Sequence, residues 1–125
     1  GLGLAVSVQF RSGRPRGERA VGFQPATMLV SPSLCEGVGV PAAEAMGCGT
    51  PVSVTDGGAR PEVAGNAGVV VAKGDAGALR HAIAGLLDDP ERSDAVAAAC
   101  LKRAEDTFNW QSIAPIYDAV FRDTI

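Results

Sequence analysis

The run Pro32-Ser33-Leu34-Cys35-Glu36-Gly37-Val38-Gly39-Val40-Pro41-Ala42-Ala43-Glu44-Ala45-Met46-Gly47-Cys48-Gly49-Thr50-Pro51-Val52 decides how this chain is read. Glu36 and Glu44 stand in it with seven residues between them. A glycine-rich segment, Gly37-Val38-Gly39, is followed by Pro41. Proline suits the start of a helix, where its missing N–H costs nothing. Gly47 and Gly49 suit a helix end. The run therefore predicts a loop over 31–40, a helix over 41–47 and a strand from 51 to 54.

Working outward, 27–30 reads as a short buried strand that leads into the loop. Downstream, Asp56-Gly57-Gly58 is a tight turn, 60–64 a short helix, and the valine-rich stretch 68–72 another strand. Asp75 is placed to cap a helix whose apolar face is Leu79, Ile83, Leu86 and Leu87. Asp88-Asp89-Pro90 breaks that helix and opens the next, with Val96, Ala99, Cys100 and Ala104 on one side. A last helix carries Trp110, Ile113, Tyr117, Val120 and Phe121. Pro115 lies within its pattern, so the helix starts near Ser112 or it kinks.

Strands alternating with helices predict a parallel α/β sheet. Counting a β-rich stretch at 4–10, about four strands are available, whereas a complete doubly wound domain has about six. The chain thus reads as part of a Rossmann-like domain: a partial parallel sheet with flanking helices, followed by C-terminal helices. Residues 11–24 differ in texture. Arg11, Arg14, Arg16 and Arg19 stand there among glycines and a proline, with no periodicity, which predicts a loop or disorder.

The 125 residues make one domain or a piece of one, and a hydrophobic content of 46% is enough for a packed core. A net charge of −3 argues against nucleic acid as the partner. No apolar run reaches the roughly 18 residues a membrane span needs, and no cleavable leader is visible. Cys35, Cys48 and Cys100 fit neither a zinc site nor a disulfide framework. They are expected to be reduced core thiols of a cytoplasmic protein, with peripheral membrane attachment left open. The single histidine, His81, falls in a helical stretch with no nucleophile in view.

In open α/β sheets ligands bind beyond the carboxyl ends of the strands, which is where the loop after 27–30 lies. Gly37 and Gly39 let the backbone approach a ligand, and the amides there, with the helix start, favour anions and hydroxyl oxygens. Glu44, read in the first helical turn, is favoured by the helix dipole and suits a vicinal diol such as a ribose. Glu36 suits a sugar ring. Singly, Glu44 more readily fits a stabiliser of its own helix N-terminus, and Glu36 a solvated loop acid.

Taken as a whole, the Glu-x7-Glu string resembles that of the retaining glycosyltransferases with the GT-B fold, family 4 (glycosyl transferases group 1). Asp56-Gly57-Gly58, Pro61-Glu62-Val63, Gly68-Val69-Val70-Val71, Asp88-Asp89-Pro90-Glu91 and Phe108-Asn109-Trp110 fit that family in order and spacing. The resemblance implies a nucleotide-diphosphate sugar as donor substrate, sugar transfer with retention, no separate cofactor and no metal. It implies that Glu44 binds the donor ribose, that Glu36 acts at the donor sugar as the catalytic-site acid, and that Gly37, Val38 and Gly39 meet sugar hydroxyls or the diphosphate. Thr50 and the Gly57-Gly58 turn are weaker candidates for shaping the cleft; Asp56 and Glu62 read as turn and cap residues.

The resemblance covers 26–125, a partial nucleotide-sugar-binding domain; 1–25 is an atypical segment. There the family would carry a helix reading roughly Gly-x-Val-Pro-x-x-x-Leu-x-x-x-Tyr. Arg/Gly/Pro-rich texture is what GC-rich DNA yields out of frame, and the degenerate codons of 13–25, shifted by one base, permit Val-Pro-Glu-Ala-Asn-Ala-Leu-Ser-Ala-Phe. The family's upstream basic pair and its acceptor-binding N-terminal domain are not found. The chain alone is accordingly expected to bind donor at most, with the acceptor unknown. The alternative is a non-catalytic Rossmann-like nucleotide-binding module, or one that complements a partner chain.

Overall fold

The structure is a computed structural model and describes Gly3 and residues 7–124. Helix α1 (Arg16–Phe23) leads into strand β1 (Leu29–Ser31), helix α2 (Val40–Gly47), strand β2 (Val52–Thr55), helix α3 (Arg60–Ala64) and strand β3 (Val69–Val71). Three helices follow: α4 (Ala76–Leu87), α5 (Pro90–Thr107) and α6 (Trp110–Thr124). The strands form a parallel sheet in the order β1-β2-β3, with Val30 opposite Ser53 and Val54 opposite Val70. The partial α/β sheet with flanking and C-terminal helices is thus present. Of the strand expected over 4–10, residues 4–6 lie outside the described residues and 7–10 form no strand.

β2 is central, and all four of its residues are buried. Side chains alternate across a strand. Val52 and Val54 accordingly join one core cluster with Ala42, Ala45 and Met46 of α2, Val63 and Ala64 of α3, and Cys100 and Ala104 of α5. α4 packs on β2 and β3 with Ala82 and Leu86 buried outside that cluster. Small residues on α2 let it sit close to the sheet, and Met46 fills the remaining space without exposure. The helix starts are written in the sequence: Asp75 Oδ1 accepts from the Ala78 N–H at 2.8 Å, and Asp89 Oδ1 from the Arg92 N–H at 3.0 Å.

The helices correct one expectation and exclude one of two alternatives. Residues 16–23, read as loop or disorder, form α1. Tertiary contacts hold it: Thr50 Oγ1 donates to the Phe23 carbonyl at 2.7 Å, Arg19 pairs with Glu44, and Phe23 packs on the core cluster. α6 starts at Trp110, not near Ser112, because Asn109 Oδ1 accepts the Ser112 N–H at 2.7 Å; Pro115 then lies inside the helix. No residue of α6 is fully buried.

The thiols also depart from expectation. Cys100 is buried, but Cys48 is half-buried and Cys35 exposed, so only one of them is a core thiol. Burial pushes the Cys100 thiol up from its ordinary range, partly offset by a hydrogen bond with the Val52 backbone.

Candidate functional site

Three connections leave the carboxyl ends of the parallel strands: 32–39 after β1, 56–59 after β2 and 72–75 after β3. The first carries Glu36, Gly37, Val38 and Gly39 and runs into α2. Its conformation is set from below by the second. Arg60, the first residue of α3, is fully buried. Its Nε donates to the Gly57 carbonyl at 2.9 Å, one terminal nitrogen to the Ser31 carbonyl at 3.3 Å and the other to the Ser33 carbonyl. The Gly57-Gly58 turn presses on the same loop. A Cβ at Gly57 would overlap the Leu34 carbonyl oxygen, and one at Gly58 the Glu36 carbonyl oxygen. The turn must be glycine for the two backbones to come this close.

The consequence is a direction for the loop amides. The carbonyls of Ser33, Leu34 and Glu36 face inward, onto Arg60, Gly57 and Gly58. The described peptide bonds are not cis, and in a trans peptide the N–H points opposite to its C=O. The N–H groups of Leu34, Cys35 and Gly37 therefore point away from the protein interior. Among the described residues, the amides of 34–39 donate to no acceptor in the chain. Gly37 is exposed, with nothing near its Cα that a methyl group would meet, and Val38 is 63% exposed. Gly39 is buried, takes φ +75° as the cap of α2, and lies against the stem of Arg60; the half-buried Glu36 turns a carboxylate oxygen toward it.

Glu44 is the fifth residue of α2, beyond the first turn, which contains no acid. The expected helix-dipole stabilisation does not apply, since it fades within one turn. Instead Glu44 Oε1 pairs with Arg19 of α1 at 3.2 Å, with about a quarter of the side chain exposed. Thr50 is a correction of place. It precedes β2, at the opposite end of the sheet from the loop, is 2% exposed, and spends its hydroxyl on Phe23. It cannot line a cleft at the carboxyl ends of the strands.

Asp56 is a turn residue as expected: its carboxylate accepts the Lys73 N–H at 2.7 Å, and its own N–H donates to the Val71 carbonyl. Glu62 lies in the first turn of α3, and its carbonyl, with that of Val63, accepts from Arg103 of α5. His81 Nδ1 lies 2.8 Å from the Gly77 carbonyl of its own helix. Among the described residues no three His, Cys, Asp or Glu side chains gather as a metal site would require. A cavity of about 170 Å³ opens between Pro32, Leu34, Thr55 and the start of α4. A larger one, about 510 Å³, is lined by Arg11, Arg14, Glu18, Arg19 and Phe23. Arg60 is the residue shaping this loop that sequence reading missed. In sequence it is an arginine at the start of a short helix, and nothing there announces its burial.

The family model described as Glycosyl transferases group 1 matches residues 1–103. The chain belongs to that family. The match takes in residues 1–25, which the sequence reading set apart. A relative in Mycolicibacterium hassiacum, an MMP alpha-(1->4)-mannosyltransferase, is 35% identical over 99% of this chain and 31% of its own length. A D-inositol 3-phosphate glycosyltransferase 1 of Catenulispora acidiphila is 36% identical over 99% of this chain and 30% of its own. The solved sucrose-phosphate synthase of Thermosynechococcus elongatus superposes with a TM-score of 0.86 at 32% identity, over 97% of this chain and 31% of that one. The chain thus spans about a third of the length of these glycosyltransferase-family relatives. No described helix is long and apolar enough to cross a membrane.

Proposed function

We propose that loop 32–39 and α2 form one wall of a nucleotide-sugar donor site in a retaining glycosyltransferase of the GT-B type. The observation that carries this reading is the row of outward amides at 34, 35 and 37, with no acceptor in the chain, at the carboxyl end of a parallel sheet. Such donors suit diphosphate and sugar oxygens. Glu36 serves the donor sugar, and Glu44, held in orientation by Arg19, serves the ribose diol. Catalysis is then positioning and stabilisation of the leaving diphosphate, without a protein nucleophile. The acceptor side lies outside the third of the relatives' length that this chain spans, so the chain alone binds donor weakly and transfers nothing.

Titration of the chain with UDP, GDP, ADP and their sugar conjugates, followed by amide NMR, tests this. One nucleotide is expected to shift residues 36–44, and Glu44→Ala to abolish that response. Binding that survives Glu44→Ala points to an unrelated nucleotide-binding module. A module completed by a second chain is the other reading, favoured by the exposed Trp110, Tyr117 and Phe121 of α6. In that case transfer appears only on mixing with the chain that covers this face.

A further inference from the structure

We infer that Arg60 is a positioning residue for the donor loop and also the source of a fixed positive charge beneath it. The charge role rests on the donor-site reading above; the positioning role does not. Fully buried arginines are normally paired with an acid. Arg60 is not: its partners are the carbonyls of Gly57, Ser31 and Ser33, and no carboxylate pairs with it among the described residues. Carbonyl dipoles satisfy its N–H groups but leave its net charge intact. That charge sits in a poorly polarisable interior, where its field is screened far less than in water.

Its position gives the charge a use. The Arg60 stem passes under Gly39, 3.0 Å from where a Cβ would stand, and the guanidinium reaches back to the end of β1. It thus spans the loop from 31 to 39. By drawing the Ser31 and Ser33 carbonyls inward it turns the Leu34 N–H outward, and the Gly57-Gly58 turn does the same for Cys35 and Gly37. A buried cation and a set of outward amides act in the same direction: both favour an anion on the loop's outer surface. Lysine cannot replace this, because three diverging carbonyls need the fork of a guanidinium.

The test uses the chain as it is, with Arg60→Lys and Arg60→Met, and two readouts. The first is ¹⁵N relaxation over 34–39. Order parameters near those of rigid backbone, about 0.85, are expected to fall toward 0.6 or below in both variants. The second is affinity for whichever of UDP, GDP and ADP binds, compared with its uncharged nucleoside. Arg60→Met is expected to weaken the nucleoside diphosphate about tenfold or more and the nucleoside less than twofold. Arg60→Lys, which keeps the charge, falls between. Equal weakening of both ligands overturns the charge role, and an unchanged loop in either variant overturns the positioning role. If Arg60→Met does not fold, the neutral but hydrogen-bonding Arg60→Gln takes its place in both readouts: its loop must loosen, and its diphosphate binding must fall further than that of Arg60→Lys while its nucleoside binding changes less than twofold. A wild-type chain that binds none of the nucleotides overturns the donor-site reading and the charge role together, while the relaxation data still judge positioning.

Discussion

Replacing Gly58 by alanine is expected to destabilise the domain by about 2–5 kcal/mol. Two terms make up this figure. Gly58 has φ +68°, a left-handed conformation that costs a residue with a Cβ about 1–2 kcal/mol. The new Cβ would also overlap the Glu36 carbonyl oxygen, which cannot swing aside because Arg60 holds the loop at Ser31 and Ser33. Relief by backbone movement costs about 1–3 kcal/mol, as overpacking does elsewhere. The sum is a large part of the roughly 5–15 kcal/mol that keeps a domain folded. Gly37→Ala is the control: Gly37 has no positive φ and nothing within 4 Å of the Cβ position. It should be neutral or gain up to about 1 kcal/mol by restricting the unfolded chain. Urea unfolding followed by circular dichroism, with slopes compared, measures both. The reasoning is refuted if Gly58→Ala lies within about 0.5 kcal/mol of wild type, or if Gly37→Ala is equally damaging.

Thr50→Val should cost about 0.5–1.5 kcal/mol by removing one of the two hydrogen bonds that the Phe23 carbonyl accepts, the other coming from the Ala26 N–H, yet leave nucleotide affinity unchanged; altered affinity would return Thr50 to the site. A thiol reagent at neutral pH should modify Cys35 in the folded chain at once and Cys100 only on unfolding, as mass spectrometry of trapped products would show. The raised Cys100 pKa gives the stability a sign: the folded state keeps a proton that the unfolded state releases, so Cys100's contribution is fully present below the ordinary thiol range and is lost as pH rises from that range through the raised folded value. Cys100→Ser should flatten that alkaline decline in the urea midpoint, and an unchanged slope would remove Cys100 as its cause.

Much of the fold was legible because local signals and periodicity agreed. Asp75, Asp89-Pro90 and Pro41 mark helix starts by chemistry that acts within one turn, and the valines of β2 and β3 mark strands, of which only β2 is buried. What failed locally was α1, and the start of α6 stayed between two readings. α1 offers only Ala20, Val21 and Phe23 as apolar side chains among glycines and charges, and the contacts that hold it come from Glu44 and Thr50, 25 and 27 residues from their partners. α6 begins at Trp110 because Asn109 takes the cap, a choice that the later proline obscured.

The candidate site divides in the same way. The string from Pro32 to Val52 by itself determined that a glycine-rich loop joins a strand to a helix, that Glu36 lies on the loop and Glu44 on the helix, and which family the chain resembles. Only the tertiary structure decided which way the loop faces. Its carbonyls turn inward because a buried guanidinium and two side-chain-free residues from 20 or more positions downstream wait beneath them, and its amides turn outward as the trans peptide requires. It also decided that Thr50, though only six residues beyond Glu44, sits at the wrong end of the sheet, because a helix carries the chain back across the sheet before the next parallel strand can begin.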